Sequence, residues 1–140
     1  MDAKLTSALK HTFERARPSD DIYHNFSFPS GHSTSIYFTL GFFLLVVVPC
    51  LNSVLSRERQ LSGRSEPNAV EAAVATVSKP TVGLGLTVAG ASVTQTGRLV
   101  ADVHWFSDVV GGAMLGAWGV VLSIMLLQAL DSKLGLADDA

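Results

Sequence analysis

Long apolar stretches separated by short polar ones dominate the pattern of this chain. Residues 33–54 are strongly apolar, and residues 109–130 form a second run of the same kind. A helix of about 20 residues crosses a hydrocarbon core of about 30 Å, so both runs are predicted to be membrane-spanning helices. In the second run, Gly112 and Gly116 lie four residues apart, which is typical of a face where two helices pack closely.

A third apolar stretch, residues 80–97, is rich in glycine, alanine, serine and threonine. Small residues favour close helix packing inside a membrane over contact with lipid, and we predict a third span here. Asn68, followed three residues later by Glu71, is typical of a helix start. The predicted helix therefore begins at Asn68, kinks at Pro80 and ends near Gly97.

Polar segments flank and connect these helices. Residues 3–17 are predicted to form a helix of mixed character that Pro18 stops, because a proline disfavours the helical conformation of the residue before it. Residues 18–31 contain several proline, aspartate and glycine residues, which indicates a loop. Residues 56–67 are predicted to form a second loop, between the first two spans.

This order of helices returns the chain to the membrane face from which the first span departs. The loop at residues 18–31 and the segment at residues 98–108 are therefore expected at the same face. The far loop at residues 56–67 contains three arginines, which favours the cytoplasmic or stromal side for that loop. The near face is then predicted to be luminal or extracytoplasmic, and the sequence does not indicate an organelle.

Composition agrees with a membrane protein of one domain. The chain has 140 residues, which is typical of a single domain. Only 16% of its residues are charged, whereas soluble domains usually contain about 25%. A net charge of −2 gives no basic surface for nucleic acid, and one cysteine excludes an internal disulfide. A soluble all-α bundle is the alternative, but such long apolar runs are unusual in a small soluble core.

The first candidate motif for chemistry contains two cations. Lys10 and Arg17 lie seven residues apart, which is two turns of the predicted helix, so both are expected on one face and within reach of one anion. Two interfacial cations at a helix end, with their charges directed to water, are the structural alternative. Arg15 lies off that face and is interpreted as a solvated charge.

The second motif, Pro29-Ser30-Gly31-His32, stands where a loop enters the first apolar helix. The N-terminus of a helix offers free backbone N–H groups and a partial positive charge, which suits a phosphate. Gly31 allows close approach of the backbone, the Ser30 hydroxyl can donate, and His32 would act as an acid or base near neutral pH. Alternatively, Ser30 only caps the helix and His32 has no chemical role.

The third motif combines Arg98, His104 and Asp108. His104 and Asp108 lie one helical turn apart, so the carboxylate can accept a hydrogen bond from the imidazole. That bond would leave the other ring nitrogen free to attack, as in covalent catalysis. Arg98 can hold phosphate oxygens with its planar guanidinium group. A purely structural hydrogen bond between His104 and Asp108 is the alternative.

A metal site is disfavoured by the charge of this set. His32, His104 and Asp108 are conceivable ligands, but three nearby cations would repel a metal ion. The same cations can supply the electrostatic stabilisation that a metal often gives to phosphoryl transfer. We therefore expect chemistry without a metal or another cofactor.

Together the three motifs, at residues 10–18, 29–32 and 98–108, resemble those of the type 2 phosphatidic acid phosphatase superfamily. That superfamily also includes bacterial acid phosphatases, glucose-6-phosphatase and vanadium haloperoxidases. The resemblance implies an all-α membrane helical bundle of the acid phosphatase/vanadium haloperoxidase type, with residues 1–140 forming one phosphatase domain. The chain has fewer predicted helices than membrane members of the family usually have. It is expected either to lack their N-terminal helices or to need a partner that completes its bundle.

The resemblance also implies roles for individual residues. His104 would attack phosphorus to form a phosphohistidine, Asp108 would orient it, and His32 would protonate the leaving oxygen. The phosphate would be held by Lys10, Arg17, Ser30, Gly31 and Arg98, without a metal. One departure is Gly97, which stands where the family usually has serine. That departure implies that one hydrogen bond to the phosphate is missing or comes from elsewhere.

The expected function is therefore that of an integral-membrane, multi-pass, metal-independent phosphatase acting on a lipid phosphate monoester such as phosphatidate. A prenyl or isoprenoid diphosphate is the alternative substrate. A vanadate-dependent peroxidase and a catalytically degenerate lipid-binding protein are the alternative functions. The expected partners are the lipid phosphate, membrane lipids, and a second copy or partner helices that complete the bundle, but not nucleic acid.

Overall fold

The computed structural model describes residues 3–19 and 25–134, and every regular element within these ranges is a helix. The all-α prediction is thereby confirmed. The α-helices in the described ranges are α1 (Ala3–Phe13), α2 (Gly31–Phe42), α3 (Val48–Leu61), α4 (Ala69–Val77), α5 (Pro80–Val100) and α6 (Phe106–Leu134).

Two of the described helices are long and apolar enough to cross a membrane. Helix α2 continues through a π-helical segment, Phe43–Val47, into α3, so that one helix of 31 residues extends from Gly31 to Leu61. The second covers 28 residues, Phe106–Lys133. These helices contain the predicted spans 33–54 and 109–130. The first extends further than predicted because its polar end is rich in arginine, glutamate and glutamine, which are good helix formers.

The predicted helix from Asn68 to Gly97 is divided into α4 and α5, whose axes differ in direction by 76°. The expected kink is thus a break, because Lys79 has an extended backbone (ψ 127°) before Pro80, which starts α5. The predicted helix start is confirmed: Glu71 N–H donates to Asn68 Oδ1 at 2.9 Å, and Asn68 N–H donates to Glu71 Oε2 at 3.0 Å. If the bent pair counts as one span, the described residues contain up to three spans.

Helix α1 ends at Phe13, so the prediction of a helix as far as Arg17 is wrong. Glu14 has a positive φ of 46°, which turns the chain out of the helix. Contacts with the following segment fix this turn: the Phe13 ring packs edge-on against Phe28, and Ser27 N–H donates to Arg15 O at 2.8 Å. Of the predicted loop 18–31, residues 20–24 lie outside the described residues.

Close packing of α2 against α6 positions the motifs. A Cβ atom on Gly112 would lie 2.4 Å from Ser30 O, and a Cβ on Gly116 would lie 2.5 Å from Thr34 O, so neither position has room for a side chain. This contact agrees with the packing role predicted for the two glycines. Ser30 N–H also donates to Asp108 O at 2.9 Å. The first turn of α2 is thereby held against the first turn of α6, where the third motif ends.

Candidate active site

A cavity of about 780 Å³ lies where α1, α2, α5 and the segment before α6 meet. It brings together residues from all three motifs, which are separated by up to 94 positions in the chain (104 − 10). The motif residues on its wall are Lys10, Arg17, Gly31, His32, Arg98 and His104. The cavity therefore combines two histidines with three cations.

His104 is nearly buried, with 4% of its surface exposed, and Asp108 is fully buried. His104 Nδ1 lies 3.4 Å from Asp108 Oδ2, slightly beyond the usual range for a hydrogen bond. The same Oδ2 atom accepts the backbone N–H of Trp105 at 2.9 Å. Asp108 thus caps the start of α6 and also faces the imidazole, and hydrogen bonds of this kind often shorten only when substrate binds.

The other ring nitrogen of His104, Nε2, lies 3.4 Å from Arg17 Nη1. Burial, together with the positive charge of Arg17, lowers the pKa of His104 from 6.5 to about 4, against the opposing effect of Asp108. The imidazole is therefore neutral near pH 7. In the tautomer that carries its proton on Nδ1, facing Asp108, the Nε2 atom has a lone pair beside the cation that would hold an incoming phosphate, as a nucleophile requires.

Arg17 reaches the cavity from the non-helical segment after α1 and not from the helix predicted for it. Its guanidinium donates to Val103 O at 2.6 Å and to Asn25 O at 3.0 Å, and only 8% of the residue is exposed. The expectation that Lys10 and Arg17 share one helix face is therefore wrong, because α1 ends between them. Tertiary contacts nevertheless bring both cations to the same cavity.

Lys10 lies near the end of α1 and donates to Phe26 O and, at 3.2 Å, to Ser27 O. Burial is the main reason why its pKa falls from 10.5 to about 8, and the nearby Arg17 lowers it further. Lys10 is thus still protonated at pH 7. It loses its charge at a much lower pH than an exposed lysine would.

The second motif supplies both the cavity wall and its support. Gly31 and His32, in the first turn of α2, line the cavity. Ser30 is completely buried behind them, and its Oγ accepts the backbone N–H of Ser33 at 3.4 Å. The structure therefore places Ser30 as the cap of α2 and not on the wall of the cavity. Its predicted contact with phosphate stays a prediction.

Arg98 lies in the last turn of α5 and lines the cavity, but the preceding residue does not. A Cβ atom on Gly97 would have no neighbour within 4 Å, and this position is absent from the cavity wall. Thr94, one turn earlier on α5, does line the cavity. A serine at position 97 would therefore need a different backbone placement to reach a phosphate in this cavity.

Sequence reasoning missed several residues in and around the site. Asn25 lines the cavity, and its Oδ1 accepts two hydrogen bonds from the guanidinium of Arg17. Nothing in the loop pattern distinguishes this asparagine. Arg15 was interpreted as a solvated charge, which is wrong: its Nη1 lies 3.1 Å from Asp108 Oδ1. Its position two residues before Arg17 was the only signal available.

A family model described as PAP2 superfamily matches residues 2–131. No match was found among curated proteins or among solved structures.

Proposed function

Because this chain belongs to the PAP2 superfamily, the type 2 phosphatidic acid phosphatase superfamily, we propose that it is an integral-membrane phosphatase that hydrolyses a lipid phosphate monoester such as phosphatidate. Membership in this family supports a phosphatase-type function. The observation that carries the proposal is the cavity in which the neutral His104 lies beside Arg17, with Lys10, Arg98 and His32 on the same wall.

The reaction proceeds in two steps in this proposal. Lys10, Arg17 and Arg98 hold the phosphate oxygens, and the N-terminus of α2 at Gly31 adds its partial positive charge. His104 Nε2 attacks phosphorus as the bond to the lipid oxygen breaks, and His32 gives its proton to that oxygen. Water then attacks the phosphohistidine, His32 takes a proton from the water, and phosphate leaves with His104 restored.

The reaction needs no metal in this proposal. The arginines and the lysine on the cavity wall provide the positive charge that stabilises the developing negative charge on the phosphoryl oxygens. The same charges disfavour binding of a cation in the cavity. Phosphate release is therefore expected to persist in excess chelator, and its loss on chelation would contradict this part of the proposal.

The position of the cavity supports a membrane setting for the reaction. The cavity lies at the N-terminal end of α2, next to the start of α6, and both helices are long and apolar enough to span a membrane. Large apolar side chains such as Met114, Trp118 and Met125 are exposed along α6. We infer contact of this face with lipid, or with a second copy or partner helices, in a multi-pass protein. The arginine-containing far loop supports a luminal or extracytoplasmic site.

The wall of the cavity favours a lipid with polar atoms next to its phosphate. In this protein, helical hydroxyls such as those of Thr87 and Ser123 donate to the carbonyl four residues earlier. The hydroxyls of Ser35, Thr39 and Thr94, which line the cavity, form no hydrogen bond to any of the described residues. They are therefore available to a substrate.

These hydroxyls lie at a suitable distance from the phosphate-binding residues to contact the ester groups of a glycerolipid. Ser35 and Thr39 follow His32 by three and seven residues on one face of α2, which corresponds to about 5 Å and about 10 Å along the helix axis. Thr94 precedes Arg98 by one turn of α5, about 6 Å. Ester carbonyls a few bonds from phosphorus can accept hydrogen bonds there. A prenyl chain offers no acceptor beyond its phosphates, so this wall favours phosphatidate over a prenyl diphosphate.

Substitution of these hydroxyls should change the choice of substrate. In the double variant Ser35→Ala, Thr39→Val, we expect kcat/KM for phosphatidate to fall about tenfold, because each lost hydrogen bond is worth about 0.5–1.5 kcal/mol. The value for a prenyl phosphate should change less than about twofold by the same reasoning. Phosphate release in detergent, with both substrates and with chelator present, measures both values.

The matched control is Ser92→Ala on α5, since that hydroxyl is exposed and donates to Val88 O at 2.8 Å. An equal loss with both substrates would contradict the assignment to glycerolipid but leave the phosphatase proposal intact. Folded wild-type protein that releases no phosphate from either lipid would contradict the phosphatase proposal itself. It would favour a lipid-binding member of the family that lacks activity.

Loss of the proton from Lys10 should weaken phosphate binding at alkaline pH. With a pKa of about 8, Lys10 of the free protein is charged below that pH and neutral above it. The inhibition constant of inorganic phosphate should therefore rise about tenfold between pH 7 and pH 9.5, because a charge-assisted hydrogen bond is worth about 1.5–3 kcal/mol. In Lys10→Arg the constant should stay flat, since arginine keeps its proton in this range. The same rise in both proteins would show that another group titrates.

A further inference from the structure

The carboxylate of Asp108 is held by a different group at each oxygen. Oδ2 accepts the Trp105 backbone N–H at 2.9 Å and faces His104 Nδ1. Oδ1 lies 3.1 Å from Arg15 Nη1, in an ion pair that the motifs do not include. Because Asp108 is fully buried, its negative charge requires a compensating partner, and Arg15 is a cation in direct contact with it.

Arg15 makes this contact from outside the phosphate cavity. It is absent from the wall of that cavity and instead borders a separate space of about 290 Å³ with Phe13 and Phe28. About 39% of its side chain is exposed, so it approaches Asp108 from the solvent side. Arg15 therefore cannot contact a phosphate bound beside His104, and any effect on the reaction must pass through Asp108.

The orientation of the Arg15 guanidinium is fixed by further contacts. Nη1 also donates to Ser107 Oγ at 2.5 Å, and the guanidinium carbon lies 5.7 Å from the centre of the Trp105 ring. The Trp105 indole N–H donates to Ala16 O at 3.0 Å, and the Ser27 backbone N–H donates to Arg15 O. Hydrogen bonds and a cation–ring contact thus connect Arg15 to the loop before the second motif and to the start of α6.

The charges around His104 show what this ion pair contributes. Arg17 and Lys10 face His104 from the side of the first motif, His32 and Arg98 share the cavity wall, and Asp108 lies behind the ring. Without Arg15, the carboxylate of Asp108 would attract the cations that are needed for phosphate. It would also stabilise the protonated form of His104, which cannot attack phosphorus.

We propose that Arg15 is a positioning residue: it neutralises Asp108 and fixes the carboxylate so that Oδ2 faces His104, which leaves Lys10, Arg17 and Arg98 to the phosphate. The kinetic part of this inference rests on the phosphatase function proposed above. The electrostatic part does not rest on that function, because the protonation state of His104 can be measured without any turnover of substrate.

Two variants separate charge from geometry. Arg15→Gln removes the charge and keeps an amide donor. We expect kcat to fall about 10- to 100-fold, by analogy with the loss of groups that orient metal-binding histidines. KM should change less than about twofold, since Arg15 does not touch substrate. The acid limb of the kcat/KM profile should move upward by about one pH unit, because an uncompensated carboxylate favours the protonated imidazole. Arg15→Lys keeps the charge and should keep the acid limb in place, with partial recovery of kcat.

The control is Arg57→Gln, an exposed arginine of α3, which should leave kcat and the acid limb unchanged. The independent readout is the pKa of His104 from NMR of histidine-labelled protein, assigned with His104→Gln. A His104 pKa that rises in Arg15→Gln but not in Arg15→Lys supports the proposal for Arg15. This holds even if no variant releases phosphate, a result that would contradict only the phosphatase proposal. The proposal for Arg15 is overturned if the His104 pKa is unchanged in Arg15→Gln, or if KM rises while kcat is preserved. If Arg15→Gln does not fold, a shifted pKa in Arg15→Lys overturns the proposal, and an unshifted pKa with reduced kcat supports it.

Discussion

Replacement of His104 by alanine should abolish phosphate release, with kcat falling by at least about 10⁴-fold, because removal of a nucleophile leaves only the contribution of binding and electrostatics. His104 is the residue whose Nε2 lies beside Arg17 in the cavity, and its low pKa keeps it unprotonated near pH 7. In wild-type protein, rapid quenching with a ³²P-labelled substrate should trap an acid-labile phosphoprotein. That species should be missing in His104→Ala.

Substrates with different leaving groups distinguish the roles of the two histidines in the cavity. In the proposed reaction His32 protonates the lipid oxygen, so formation of the phosphohistidine in His32→Ala should be slow with an alkyl phosphate but largely recover with p-nitrophenyl phosphate, whose leaving group needs no proton. Turnover should remain slow with both substrates, because His32 also takes a proton from the attacking water. His104→Ala should recover with neither substrate. His11→Ala is the control, since this residue packs against Phe26 and is absent from the cavity wall. A labelled phosphoprotein that persists in His104→Ala would contradict the assignment of the nucleophile.

Short separation along the chain explains which parts of this site could be predicted from the sequence. His104 and Asp108 are four residues apart, and the structure places their side chains 3.4 Å apart, although His104 precedes α6 and is not in a helix as predicted. Asn68 and Glu71 form the helix start that their spacing predicts. Interactions within one turn depend only on local geometry, so sequence is sufficient for them.

Contacts between distant segments could not be predicted in the same way. The sequence contains no glycine or proline at positions 13 to 17 that would end α1. The helix ends at Phe13, where Phe28 packs against the Phe13 ring and the Ser27 backbone N–H donates to Arg15 O. The same contacts place Arg15 on Asp108, which is 93 residues away. Its pairing depends on how the loop before α2 meets the start of α6. A charge next to a motif can therefore be solvated or buried in an ion pair, and only the tertiary structure distinguishes the two.

The contact between α2 and α6 links the stability of the fold to the geometry of the site. Both helices begin at the cavity, and the backbone of Ser30 donates to the backbone of Asp108. A shift of α2 along or away from α6 would therefore move Gly31 and His32 relative to His104. This is why a substitution far from the phosphate, but within this contact, should impair activity as well as stability.

Gly112→Ala is expected to destabilise the protein by about 1–3 kcal/mol, the usual cost of an atom inserted into a close-packed contact. The new Cβ would lie 2.4 Å from Ser30 O and 2.9 Å from Ser33 Cβ, and the first of these is a backbone atom that cannot turn away. This strain should exceed the gain of about 1 kcal/mol that alanine normally brings to a helix. Thermal unfolding in detergent measures the change, and kcat/KM of the folded fraction should also fall because the first turn of α2 is displaced.

Gly85→Ala supplies the comparison that makes this prediction specific. It is the same substitution inside an apolar helix, α5, but its Cβ would have no neighbour within 4 Å. Helix propensity then acts alone, so the midpoint of unfolding should stay constant or rise and activity should not change. If both variants lost stability equally, the cost would come from the backbone of apolar helices in general. A loss confined to Gly112→Ala would show that contact of α6 with the start of α2 holds the second and third motifs in register.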